Sequence, residues 1–291
     1  MIPPRFEYFA PTSIEEAVLL LDRFGGDAKV LAGGQSLLPV MKLRLAEPKA
    51  LVDINRIADL AHIREDERFL RIGALARTND LTHSSLLAER YPILSDAASV
   101  IADPLVRNMG TVGGNVSHGD PANDLPACML ALEAHFVIHG PNGIRSIPAG
   151  EFYRDTFVTA LESNEILTEI QIPKHQPGQG NAYMKLEKRV GDFPIAGVAA
   201  NLVLDASGAI VKAGIGLTAV GPTALRARKA EGHLVGRRPT DAELGYAAEI
   251  ARDLAQPTSD LRGPAEYKTA MIEVLARRAL RRAADRAAGG G

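Results

Sequence analysis

Ala32-Gly33-Gly34-Gln35-Ser36 and, further along, Gly110-Thr111-Val112-Gly113-Gly114-Asn115 are the two stretches on which the reading of this chain turns. The first directly follows a short apolar run, Lys29-Val30-Leu31, and the second directly follows a helix. Adjacent glycines take positive φ easily and lack a Cβ, so successive backbone N–H groups can converge on an anion at close range. A diphosphate is the natural guest. Gln35, Ser36, Thr111 and Asn115 add small hydrogen-bonding side chains. Neither stretch is a Gly-x-Gly-x-x-Gly opening a helix, and no Lys-Ser/Thr follows the glycines, which disfavours a nicotinamide Rossmann site and a P-loop ATPase. Taken singly, each stretch could be an ordinary connecting turn; taken together, they could clamp one pyrophosphate.

Outward from these loops the periodicity alternates between short strands and helices. A Thr12–Glu15 capping box followed by Ile14, Ala17, Val18 and Leu21 predicts a first helix ending at Gly25-Gly26. Lys29–Leu31, Leu51–Ile54 and Phe69–Ile72 read as strands, 78–89 and 91–102 as helices, 110–115 as a turn and 122–133 as a helix. Phe136–Ile138 and Arg145–Ile147 form a hairpin about Gly140-Pro141-Asn142-Gly143, and Ile166–Ile172 alternates until Pro173. The breaker-rich His175–Gly180 marks a boundary, giving domains of residues 1–176 and 177–291. The second has strands near 182–188, 196–205 and 209–220, then helices near 223–233, 240–254 and 264–288, with a Thr240–Glu243 capping box. That is an α+β chain whose second domain pairs a three-stranded sheet with a small helical pack. The Gly289-Gly290-Gly291 tail is expected to be disordered.

Composition narrows the function classes. With 33 basic and 35 acidic residues in 291, no global field draws the molecule to nucleic acid or an anionic membrane. No apolar run is long enough to span a bilayer, and the opening Met1-Ile2-Pro3-Pro4-Arg5-Phe6 has no leader pattern, so a cytoplasmic location is expected. A single cysteine, Cys128, rules out a disulfide, a Cys-ligated iron–sulfur cluster or a structural zinc site within one chain. His62, His83, His118, His135, His139, His175 and His233 are scattered, without a zinc-hydrolase pattern, and no metal is assigned. Asp120-Pro121-Ala122-Asn123-Asp124 offers carboxylates at a predicted helix start, where Asp124 either caps the helix or accepts hydroxyl protons from a ribityl chain or ribose. Arg277, Arg278, Arg281, Arg282 and Arg286 line the last helix, as a solvated face or a subunit contact.

The paired AGGQS and TVGGN loops resemble the FAD-binding motifs of the medium subunits of molybdenum hydroxylases, such as carbon monoxide dehydrogenase, and of the xanthine dehydrogenase flavin domain. Val106-Arg107-Asn108, Glu165-Ile166-Leu167, Ala219-Val220-Gly221-Pro222-Thr223 and Asp260-Leu261-Arg262-Gly263 extend the likeness over nearly the whole chain. The resemblance implies an FAD-binding fold of the vanillyl-alcohol-oxidase (PCMH) type with a small C-terminal domain over the flavin. By the same resemblance, Ala32, Gly33, Gly34, Gln35 and Ser36, with Thr111, Val112, Gly113, Gly114 and Asn115, hold the FAD diphosphate. Asp124 bonds the cofactor's hydroxyls, Leu167 lies beside the isoalloxazine ring, and Tyr183 and Lys185 face its polar edge. Gly197 falls where some xanthine-oxidising relatives carry a lysine. The implied complex has a large molybdenum–pterin subunit and a small subunit with 2Fe-2S clusters, assembled as a dimer of heterotrimers. This chain would be its electron relay to an external acceptor, with no catalytic side chain of its own. The rivals are a self-sufficient FAD oxidoreductase on the same fold and a non-catalytic nucleotide-binding interaction module.

Overall fold

The computed structural model describes residues 2–289; of the glycine tail expected to be disordered, Gly290 and Gly291 lie outside the described residues. Glu7–Phe9, Ala50–Asp53 and Ala28–Leu31 pair side by side in that order as a parallel sheet. Helix Ile14–Phe24 buries Ala17, Val18 and Leu21 on it. Its cap lies one residue later than expected. Ser13 is the extended residue (φ −134°, ψ 160°), so its hydroxyl can accept from the Glu16 N–H, while the Glu16 carboxylate accepts from Thr12 N–H at 3.0 Å. Glu15 therefore plays no part in the expected box.

A second, antiparallel sheet runs Ile63–Glu65, Phe69–Gly73, Ile166–Pro173, His135–Gly140, Gly143–Pro148. Leu70, Ile72, Phe136, Ile138, Ile170 and Ile172 alternate along its strands into one core. The expected hairpin closes with Gly140 opposite Gly143, where φ of 104° requires glycine. The helix expected over 78–89 is two helices, Thr78–His83 and Ser85–Arg90. Ser84 breaks it by turning extended and receiving the Leu87 N–H on its hydroxyl. The next helix, Pro92–Ser99, is shorter than the expected 91–102.

The third sheet has four antiparallel strands, not three: Gln179–Glu187, Pro194–Leu204, Ile210–Thr218 and Leu225–Arg226. The last is too short to carry a readable period, and Arg226 is pinned by Glu231 and Glu133. Helices Arg228–Leu234, Asp241–Leu254 and Ala265–Ala287 follow. Thr240 does receive the Glu243 N–H, but the Glu243 carboxylate turns to His233 at 2.7 Å, so only half of that box forms.

Helix Asp124–Ala131 lies directly on strand Ile210–Thr218. A Cβ on Gly214 or Gly216 would collide with the carbonyl groups of Ala131 and Ala127, 2.9 and 2.8 Å from their carbonyl carbons. Glycines two apart on a strand meet carbonyls four apart on a helix, so the contact is backbone against backbone. The arginine stripe divides between two intramolecular tasks. Arg286 and Arg282 reach Asp96 beneath the helix, while Arg277 pairs with Glu273 and Glu249, and Arg281 with Asp241.

Candidate functional site

The two glycine stretches touch. A Cβ on Gly33 would strike the Met109 carbonyl and sit 2.8 Å from Gly110 Cα, so only glycine lets the loops meet. Asn55 and Arg77 stitch them together: Asn55 Nδ2 donates to Ala32 O at 2.8 Å, and Arg77 donates to Asn55 Oδ1 at 2.8 Å and to Met109 O at 2.5 Å. The sequence carried no signal for either residue, because their role depends on chain segments brought together only by folding.

The loops differ in what they have left to offer. In 32–36, Gly34 has φ of 72°, and the Gln35 amide folds back onto Gly33 O. Among the described residues, no acceptor receives the N–H of Gly33, Gly34, Gln35, Ser36 or Leu37. Those of Ser36 and Leu37 are orphan donors at the start of helix Leu37–Lys42, and those of Gly33, Gly34 and Gln35 lie in the loop before it. The second stretch is not the turn expected: Thr111 caps a short helix, Val112–Ser117, and its hydroxyl receives the Gly114 N–H at 3.1 Å. Val112 N–H goes to Ala76 O, Gly113 N–H to Ala74 O and Asn115 N–H to Thr111 O. Apart from the Thr111 N–H, its backbone donors are therefore spent, and the converging-amide picture holds for the first loop alone. What the second loop offers is side chains. Gly114 is exposed, and the buried Asn115 Oδ1 has no partner. A buried polar atom without a partner is costly, which fits a bound group with hydrogen-bonding atoms at this point.

Asp124 does not cap its helix: it is the first residue inside it, and Asn123 occupies the cap. Thr218 Oγ1, 2.6 Å from Asn123 O and 3.0 Å from Pro121 O, holds that entry to the third sheet. Asp124, 5% exposed, accepts from Tyr183 O–H at 2.6 Å and from Lys185 Nζ at 3.3 Å. Lys185 also donates to Val100 O at 2.8 Å and pairs with Glu187 at 3.3 Å. Burial pushes the Asp124 carboxyl up to about 6, against the opposing pull of Lys185 and Tyr183. Burial, and then the Asp124 charge, push the Tyr183 phenol well above its ordinary value. Gly197 now has a physical reason: a Cβ there would run into the Tyr183 hydroxyl and come within 2.7 Å of Thr218 Cγ2.

The structure thus brings together Asp124, Tyr183 and Lys185, and separately the two loops. Asn123 Nδ2 donates to Asn115 O at 2.8 Å and links the two groups through the backbone. Leu167 is buried opposite Ile138, beside the strand irregularity at Thr168. Thr168 O receives the Ala74 N–H, next to the Ala74 contact of Gly113.

Two family models match the chain: "FAD binding domain in molybdopterin dehydrogenase" over residues 4–175, and "CO dehydrogenase flavoprotein C-terminal domain" over 181–283. The chain is 50% identical to the carbon monoxide dehydrogenase medium chain of Hydrogenophaga pseudoflava, covering 99% of this chain and 100% of that one. It is 45% identical to that of Afipia carboxidovorans, covering 99% of each. The solved structure of the Hydrogenophaga pseudoflava carbon monoxide dehydrogenase superimposes with a TM-score of 0.94, covering 97% of this chain and 98% of that chain. These matches identify the chain as an oxidoreductase subunit: it belongs to the molybdenum hydroxylase family, as an FAD-binding medium subunit.

Proposed function

We propose that this subunit is an electron relay, holding FAD where it can take electrons from an iron–sulfur cluster on a neighbouring subunit and release them to an external acceptor. The observation that carries the reading is the meeting of the two glycine loops, one with a run of unspent backbone donors and the other with an unpartnered buried Asn115 oxygen. In this reading, residues 32–36 and 111–115 hold the diphosphate. Asp124 takes the cofactor's hydroxyls on the lone pairs that Tyr183 and Lys185 leave free, Leu167 lies against the ring, and Tyr183 and Lys185 face its polar edge. Bound FAD supplies the one- and two-electron chemistry that no side chain here offers. The chain's own contribution is to bind, orient and shield, with no acid, base or nucleophile required.

The division falls near residue 176, into an FAD-binding domain and a smaller C-terminal one. The partners are a large molybdopterin-binding subunit and a small 2Fe-2S subunit, joined as a dimer of heterotrimers in the cytoplasm. No helix among the described residues is long and apolar enough to cross a membrane. The test is to purify the chain alone and co-expressed with its partners, identify any released cofactor, and follow the visible spectrum. Non-covalent FAD that stays oxidised in the isolated chain, but bleaches when the partners and an oxidisable substrate are added, is the expected result. Oxidation of an alcohol, or reduction of an enolpyruvyl sugar, by the isolated chain would overturn the relay in favour of a self-sufficient enzyme; absence of flavin under both conditions would overturn it altogether.

A further inference from the structure

Asp96, on helix Pro92–Ser99, belongs to neither glycine loop, yet its carboxylate collects donors from three directions. Arg286 forks across it, Nη1 to Oδ2 at 2.7 Å and Nη2 to Oδ1 at 3.1 Å. Arg282 approaches Oδ1 to 3.5 Å. The third donor is the Tyr183 backbone N–H, 3.3 Å from Oδ2. With side chains 16% and 18% exposed, Asp96 and Arg286 are sheltered from the screening that weakens surface pairs, and the fork fixes orientation as well as charge.

One alternation earlier on the same strand, Asn181 is fully buried and crosses to the same helix. Its Oδ1 accepts the Ile93 N–H at 2.9 Å, its Nδ2 donates to Arg90 O at 3.4 Å, and its own carbonyl accepts from Arg286 at 2.7 Å. Tyr91, the cap residue of that helix, makes no side-chain capping bond, so Asn181 satisfies one of its first-turn amides from another sheet. Asn181, Tyr183 and Lys185 occupy alternate positions and hence one face of the strand. A slip of one residue would turn Tyr183 and Lys185 away from the carboxylate of Asp124, and Asn181 away from Ile93 and Arg90.

We infer that Asp96 is a positioning residue for the cofactor site: by holding the Tyr183 amide and the Arg286 fork, it fixes where the Tyr183 hydroxyl meets Asp124. Asp96 matters to the cofactor only through Tyr183, whose place in the FAD site is itself part of the function proposed above. The full chain, freed of FAD, is titrated with FAD by flavin fluorescence as wild type, D96A, Y183F and the double variant, and the melting temperature of each FAD-free form is recorded. D96A weakens FAD binding about tenfold in the wild-type background and less than twofold in the Y183F background, the non-additivity expected of residues acting through one contact. An equal loss in both backgrounds, tracking the fall in melting temperature, or no loss in either, overturns the assignment. A Y183F chain that binds FAD as tightly as wild type refutes the placement of Tyr183 itself and takes the role of Asp96 with it. Should D96A fail to fold, R286K keeps the charge without the fork; it weakens binding about threefold in the wild-type background and leaves Y183F unchanged, and equal effects in both overturn the assignment in the same way.

Discussion

Replacing Asp124 by Asn should flatten the pH dependence of the stability of the FAD-free chain. Asp124 is 5% exposed, and burial lifts its carboxyl from the ordinary 3.8 to about 6. A carboxyl that binds its proton more tightly folded than unfolded gives stability that is complete below the unfolded value and is lost as pH rises through the folded one. The displacement amounts to about 3 kcal/mol at full deprotonation. About 1.4 kcal/mol of that is lost between pH 5 and pH 8. His118 and His139, both lowered by burial, act in the opposite sense, since their contribution is lost as pH falls. Comparing wild type with D124N cancels them. Urea unfolding followed by circular dichroism, at pH 5 and at pH 8, gives the two differences needed. Wild type should gain on D124N by about 1.4 kcal/mol at pH 5 relative to pH 8. The variant also removes one partner of Lys185, which displaces both differences together. If the differences are equal at the two pH values, Asp124 titrates in the fold as it does in the unfolded chain, and the buried-carboxylate account fails.

Gly33→Ala forces the loops apart and should cost about 1–3 kcal/mol of FAD binding, whereas Gly26→Ala, which meets nothing within 4 Å, should leave binding unchanged; flavin content after purification reads both. Asn115→Ala should lower FAD affinity about tenfold while leaving the FAD-free melting temperature nearly unchanged, because its Oδ1 has no partner to lose; a drop in both would mean that the side chain is structural. Gly216→Ala drives a methyl into the Ala127 backbone and should destabilise the chain by about 1–3 kcal/mol in urea titrations.

The glycine loops and the strand–helix rhythm were legible because both are local: turn glycines and alternating apolar residues announce themselves within a few positions. Their partners were not. Asn55 and Arg77 act on Ala32 and Met109 across folded distance, and nothing in their neighbours marks them. The second glycine stretch misled for a subtler reason. Thr111 is a good helix cap, but adjacent glycines argue for a turn, and only the acceptors on Ala74 and Ala76 decide that the segment coils. The Thr12–Glu15 box gave way to Ser13–Glu16 because two overlapping caps fit the sequence equally and the chain entry selects between them. Leu225–Arg226 escaped notice because a two-residue strand has no period. The arginine stripe, read as a solvated face or a contact with another subunit, lacked the fact that explains two of its five members, Arg282 and Arg286: the position of Asp96 underneath.

Helix Asp124–Ala131 rests on Gly214 and Gly216 with no side chain between them, and this has a bearing on how fast charge can move. A cushion of leucines can yield by changing rotamers; two backbones in contact cannot. The carboxylate that opens this helix, and the dipoles around it, are therefore held stiffly while a neighbouring group changes its charge. Surroundings that are already arranged need little rearrangement at each transfer. In the relay proposed above, softening this seat should slow the traffic of electrons even where every cofactor contact is retained.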